Sequence, residues 1–168
     1  AVGLHIPNHA TWEGIQTVLM NTEGNFQCAF TIDVHSVNDG EVFRNKEVSV
    51  IAYHNNHLEH FPGDPWRSFS YAIECEEKRI VFSGDVRETG DLDALLAPGC
   101  NVLLMETGHH KIRDICEHLN ALPVPPRSLF FIHNGREINA DRDAAYNTAS
   151  SLFHGDVYIC EDATSVEL

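Results

Sequence analysis

Five residues able to hold a cation or move a proton stand just beyond apolar runs of the chain: His57, Asp85, Glu106, His109 and His133. The clearest setting is Ile80-Val81-Phe82-Ser83-Gly84-Asp85. Three apolar residues, β-branched and aromatic among them, make a buried strand, and Gly84 lets the backbone turn tightly before Asp85. His57 follows Val48–Tyr53, in a run that also offers His54 and His60. Glu106 and His109 follow Val102–Met105, and His133 follows Leu129–Ile132. Each has an ordinary explanation by itself. Asp85 could cap a helix starting near Asp91 or serve a turn, and a histidine after a strand could lie on the surface. The fourfold repetition favours a joint reading, because strand ends on one edge of a sheet converge. Imidazole and carboxylate ligands suit zinc, iron or manganese, and a carboxylate can bridge two ions. Two ions about 3.5–4 Å apart lower the pKa of a shared water and clamp a leaving oxygen during hydrolysis.

The elements that must deliver these groups can be read in order. Val2, Leu4 and Ile6 alternate with Gly3 and His5 as a short strand ended by Pro7. Thr11 is expected to cap a helix with Trp12, Ile15, Val18 and Leu19 on one face, closed by a turn over 21–25. His5 and His9 read as surface or turn histidines. A strand is expected over Phe26–Val34, then a turn at Asn38-Asp39-Gly40 and a polar strand or loop through Arg44. Val48–Tyr53 is a strand, and Phe61–Trp66, with two prolines and a glycine, is a loop that could line a substrate pocket. Phe69–Ile73 and Ile80–Phe82 form a hairpin through Glu76-Glu77-Lys78. Short helix over 91–97, strand 102–105, helix 112–119, strand 129–132, one last helix from Ala140 to Leu152, and strand 157–159 complete the chain. Strand and helix alternate through this second half, which predicts an α/β layered domain.

Composition narrows the classes. A chain of 168 residues with 43% apolar and 21% charged residues has the length and makeup for one folded domain. No apolar run approaches the roughly 20 residues that span a bilayer, so no membrane role is expected. Ala1–His5 has neither the basic segment nor the apolar core of a secretory signal. The formal charge of −14 repels phosphate backbones and disfavours general nucleic-acid binding. Five cysteines, Cys28, Cys75, Cys100, Cys116 and Cys160, include no C-x-x-C pair and read as reduced thiols of a cytoplasmic protein. None has a convincing histidine partner, so a cysteine nucleophile has little support.

From Val48 to Ile159 the sequence resembles the metallo-β-lactamase-fold hydrolases. The resemblance rests on the His-Leu step followed by Ser68-Phe69-Ser70-Tyr71, on Val81-Phe82-Ser83-Gly84-Asp85, on Leu103-Leu104-Met105-Glu106-Thr107-Gly108-His109, and on the strand ending at His133. It implies an α/β chain that is part of a four-layer αβ/βα sandwich, with mixed sheets, flanking helices and a dinuclear metal site along one sheet edge. By that resemblance His57 binds the first metal, Asp85 bridges, His133 binds the second, and His109 donates a proton or contacts a phosphate. His57 is chosen over His54 and His60 because the family's ligand precedes a Leu and the Ser-aromatic strand. The family's H-x-H-x-D-H signature is not in the sequence. The opening Leu4-His5-Ile6-Pro7 and the Trp12 helix resemble the segment that lies after this signature in relatives. The expectation is therefore residues 1–168 as a single domain or the C-terminal portion of such a domain.

Two functions are expected to compete. One is a metal-dependent hydrolase in which two divalent ions, zinc first and iron or manganese next, activate water to cleave an ester, phosphodiester or related bond of a small-molecule or phosphoester substrate. The other is a metal-free binding or assembly module of the same fold. In either case uncovered apolar sheet favours a homo-oligomer or pairing with a missing N-terminal half.

Overall fold

The computed structural model describes residues 1–22 and 29–166. Strands β1 (Val2–Ile6) and β2 (Ile32–Ser36) pair in parallel around helix α1 (His9–Thr22). Seven further strands make one sheet: β3 (Gly40–Arg44), β4 (Val48–His54), β5 (Phe69–Cys75), β6 (Lys78–Phe82), β7 (Val102–Glu106), β8 (Ser128–Ile132) and β9 (Asp156–Ile159), adjacent in chain order. The pairs β3–β4, β4–β5 and β5–β6 are antiparallel, and β6–β7, β7–β8 and β8–β9 are parallel. A mixed sheet with flanking helices is thus the architecture, as the sequence predicts.

One face of this sheet carries the core. The register row Ala72, Val81, Leu103, Leu129 and Val157 is buried across five strands. Onto it pack α2 (Asp93–Leu96) through Leu95 and Leu96, α3 (Ile112–Ala121) through Ile112, Ile115, Cys116 and Leu119, and α5 (Arg142–Leu152) through Ala145 and Ala149. Parallel strands need crossovers, and these helices are the crossovers. A smaller cluster of Val37, Ala52 and Phe69, with Val42, Trp66 and Tyr71 against it, covers the antiparallel end.

Local chemistry moved several boundaries. Helix α1 is capped by Asn8, not Thr11: the Asn8 Oδ1 accepts from the Thr11 N–H at 2.9 Å, which makes Thr11 a residue of the first turn. The predicted turn over 21–25 and the start of the predicted strand Phe26–Val34 fall on residues 23–28, outside the described ones, and residues 29–31 are not extended in a sheet, so the strand begins only at Ile32. The last helix is two, α4 (Arg136–Ala140) and α5, because Asp141 leaves helical geometry (φ −158°) and caps the second by accepting from the Ala144 N–H at 2.9 Å. The expected helix over 91–97 opens as a 3-10 turn, Thr89–Leu92, before α2. The hairpin turn is tighter than predicted, with Glu76 and Glu77 alone between the strands, both in the left-handed region (φ 49° and 62°) as a type I′ turn demands.

Candidate metal centre

Antiparallel pairing with β5 on both sides makes β4 and β6 run the same way, and β7 and β8 run parallel to β6. The C-terminal ends of β4, β6, β7 and β8 therefore share one edge of the sheet. Asp85 lies three residues past β6, and its carboxylate meets two imidazoles. Its Oδ1 is 2.8 Å from His133 Nδ1 and its Oδ2 is 3.9 Å from His57 Nε2. His109 lies between them, its ring centroid 5.0 Å from that of His57 and 5.7 Å from that of His133. Asp85, Glu106, His109 and His133 each offer a ligand atom within 4.8 Å of the others. Asp85 and His133 are open to solvent, with side chains 41% and 52% exposed, so an ion or substrate has access.

Glu106, one of the metal-competent residues the sequence places after a strand, is fully buried. A buried carboxylate is costly unless its lone pairs are filled. Here Oε1 accepts from the Val86 N–H at 3.2 Å and lies 2.9 Å from His109 Nδ1 and 3.2 Å from His110 Nε2, while Oε2 accepts from the His109 N–H at 3.1 Å. An Nδ1–H donated by His109 to Glu106 leaves the His109 Nε2 lone pair for other chemistry, the carboxylate–histidine arrangement that orients a ligand or acid–base imidazole. His110 also lies 3.0 Å from the Val86 carbonyl, so its Nε2 is the donor to both acceptors. Sequence reasoning missed His110. The i, i+4 spacing from Glu106 was the available signal.

Beneath these groups runs a buried polar chain that ties the strand ends together. Asn55 Nδ2 donates to Ser70 Oγ at 3.0 Å, Ser70 donates to the Ser83 carbonyl at 2.6 Å, and Ser83 Oγ accepts from the Glu106 N–H at 3.0 Å. Asn55 Oδ1 also accepts from the His57 N–H at 3.2 Å. Three backbone features sharpen the edge. Gly84 has φ +59°, and a Cβ there would stand 2.8 Å from the Phe69 carbonyl, so only glycine makes the turn that presents Asp85. His133 itself sits at φ 46°, a conformation that costs a non-glycine residue about 1–3 kcal/mol and that clusters at functional sites. Gly108 lies flat against the His133 ring, where a Cβ would come within 3.0 Å of Cε1.

The three histidines at the end of β4 and just beyond it, His54, His57 and His60, separate. His54 Nδ1 is 2.6 Å from Asp39 Oδ2 and its ring stacks on Trp66 at 3.9 Å. His60 stacks on the opposite side of the loop's only indole at 3.8 Å and its Nε2 donates to the Asp64 carbonyl at 2.9 Å. His57 is the one of the three in contact with Asp85. With an imidazole stacked at each of these two short distances, Trp66 is engaged within the protein, and of the two aromatic residues in the loop Phe61–Trp66 it is Phe61 that stays exposed. Asp85 does not cap the following turn, since its oxygens meet histidines; Asp91 accepts from the Arg87 and Asn56 N–H groups instead.

The donor set fits a hard or borderline divalent ion. It is made of imidazole nitrogens and carboxylate oxygens, with His133 Nδ1 and Asp85 Oδ1 only 2.8 Å apart. Three of the thiols are ill suited to nucleophilic work. Burial pushes the Cys100 and Cys116 thiols up to about 11, and raises that of Cys160 as well.

Among solved structures the chain is similar to Zn2+-bound PqqB from Methylobacterium extorquens (TM-score 0.64, 14% identity, covering 99% of this chain and 64% of that one). It is also similar to the metallo-β-lactamase fold protein YhfI from Bacillus subtilis (0.57, 11% identity, 97% and 76%) and to a diphosphatase of the PhnP family (0.54, 13% identity, 99% and 58%). The chain thus spans about three fifths of the length of PqqB and of the diphosphatase. No family model matches the sequence, and no curated protein matches it at a significant level. At these identities the likeness establishes the fold: the chain has the metallo-β-lactamase fold.

Proposed function

We propose that this chain forms the C-terminal part of a metal-dependent hydrolase whose dinuclear centre cleaves an ester, phosphodiester or related bond. The observation that carries the reading is the convergence of Asp85, Glu106, His109 and His133 within 4.8 Å on the C-terminal edge of the sheet, with His57 against Asp85. The fold shared with a zinc-bound protein and with a diphosphatase supports it. Two divalent ions, zinc first and iron or manganese next, would supply an acidic water and neutralise charge on the substrate when bound. His57 and His133 would hold one ion each, and Asp85 would span both. His109, oriented by Glu106 through Nδ1, would first take up a proton from solvent at its Nε2 lone pair and, as the imidazolium, pass that proton to the leaving group or hold an anionic oxygen. The remaining ligands would come from polypeptide outside residues 1–168, bearing the H-x-H-x-D-H sequence, or from a partner copy.

The substrate class this favours is a small molecule or phosphoester; a chain of net charge −14 repels long polyanions. Among the described residues no helix is long and apolar enough to cross a membrane. The free thiols Cys75, Cys100, Cys116 and Cys160 suit a reducing cytoplasm. A second reading, a metal-free assembly module, draws on α1, where Ile15, Val18 and Met20 are exposed and no residue is buried. Metal analysis separates the two. Purified protein is expected to carry about two equivalents of zinc, iron or manganese when the whole centre is assembled, and Asp85→Ala to lose them together with hydrolysis of a chromogenic phosphodiester. Protein that takes up no metal, with melting unchanged by Asp85→Ala, would leave the assembly module standing.

A further inference from the structure

The loop between β4 and β5 is built around one indole. Its neck is closed by the Asn55 N–H on the Ser68 carbonyl at 3.0 Å, and its middle by Arg67 Nη2 on the Glu59 carbonyl at 2.6 Å. Between these closures Trp66 stacks with His54 at 3.9 Å and 16° and with His60 at 3.8 Å and 15°. The column continues through Tyr53, stacked on His54 at 4.9 Å. Both rings that clamp the indole are anchored. Asp39 accepts from the His54 N–H at 2.7 Å and pairs with its ring at 2.6 Å, and the Asp64 carbonyl holds His60. Trp66 also packs on the buried cluster of Val37, Ala52 and Phe69, so the column is fixed to the body of the protein.

Histidines at positions 54, 57 and 60 are spaced by three. The outer two are committed to the indole, and the backbone between them is thereby held at both ends. His57, midway, has no stacking partner in that column and meets Asp85 and His109 instead. We propose that Trp66, clamped by His54 and His60, is a positioning residue that aims His57 at Asp85. This inference rests on the reading of Asp85 and His57 as metal ligands. Asn55 Oδ1 on the His57 N–H and Asp91 on Asn56 fix the backbone locally, while the indole fixes the loop's span.

The test uses the whole chain, with zinc itself as probe in competition with a chromophoric chelator, and amide hydrogen exchange across 55–68 read in parallel. Trp66→Ala removes the indole, and His60→Ala removes one stacking ring without touching the buried cluster. Both are expected to weaken zinc binding by about tenfold or more, the range for groups that orient metal ligands, and to speed exchange of the His57 amide. In a His57→Ala background neither should weaken zinc further, because the loss acts through that imidazole. Zinc affinity within about twofold of wild type in both variants, or an equal loss with His57 already removed, would overturn the proposal. A wild-type chain that by itself binds no zinc, as a centre short of the ligands outside residues 1–168 would, takes the affinity comparison away. The exchange rate at His57 then decides the proposal: faster in His60→Ala sustains it, unchanged overturns it.

Discussion

Helices α1 and α3 carry the same kind of pattern and meet opposite fates. In α3 the apolar residues Ile112, Ile115, Cys116 and Leu119 recur with helical spacing, and all four are buried against the sheet. In α1 Trp12, Ile15, Val18 and Leu19 recur in a similar way, yet none is buried, and Ile15, Val18 and Met20 are exposed by 42%, 61% and 60%. Amphipathic spacing states which face seeks cover; it does not supply the cover. The parallel half of the sheet supplies it for α3, whereas the two strands beside α1 are too few to build a core. Stability and site therefore belong to the same half of the molecule. The sheet repeats the contrast: Val81 and Leu103 are fully buried beneath the helices, while Phe82 and Tyr158, in the alternate register row, are each more than a third exposed. Phe130, between them in that row, is buried, so this face of the sheet is open only in part.

The contrast can be broken from its strong side first. Phe131 on β8 is fully buried two residues before His133, so Phe131→Ala is expected to cost about 3–5 kcal/mol in denaturant melts. A loss under about 1 kcal/mol would mean that the parallel half is not the core that holds the site.

A smaller effect is expected in alkali. Burial holds the Cys100 and Cys116 thiols up to about 11 against an ordinary value of 9.0. Between these values the unfolded chain has released its thiol protons and the folded chain keeps them. Stability contributed by these thiols is thus fully present below about pH 9 and falls as pH rises towards 11. Replacing both with alanine should flatten that alkaline decline in melting temperature, and a decline that persists unchanged would assign it to other groups.

The smallest effect belongs to the open helix. Val18→Ser exchanges an exposed apolar side chain for a polar one, and stability should move by no more than about 0.5 kcal/mol. A large destabilisation, or a dimer that dissociates on this substitution in sedimentation experiments, would reveal that α1 is covered in solution.

Much of the architecture was legible from the chain. Apolar runs at Val48–Tyr53, Ile80–Phe82, Val102–Met105 and Leu129–Ile132 became strands, because alternation and β-branching report burial directly. Two of the boundaries that moved did so through side-chain hydrogen bonds, at Asn8 and Asp141, which spacing does not encode. In the site, Asp85, His109 and His133 could be named from their places after strands, and the structure brings them together. His57 could be named only by resemblance among three histidines. Trp66 separates them in space by stacking with the other two.

The sequence by itself determined which side chains end the strands and which faces are apolar, since both follow from local order and the two-residue period of a strand. Tertiary structure alone decided that β4, β6, β7 and β8 point the same way, that Glu106 is buried under four contacts rather than solvated, and that His133 occupies a left-handed backbone. Those outcomes depend on pairing between segments up to 48 residues apart, such as Asp85 and His133. Their energies arise only when the segments meet and exclude water.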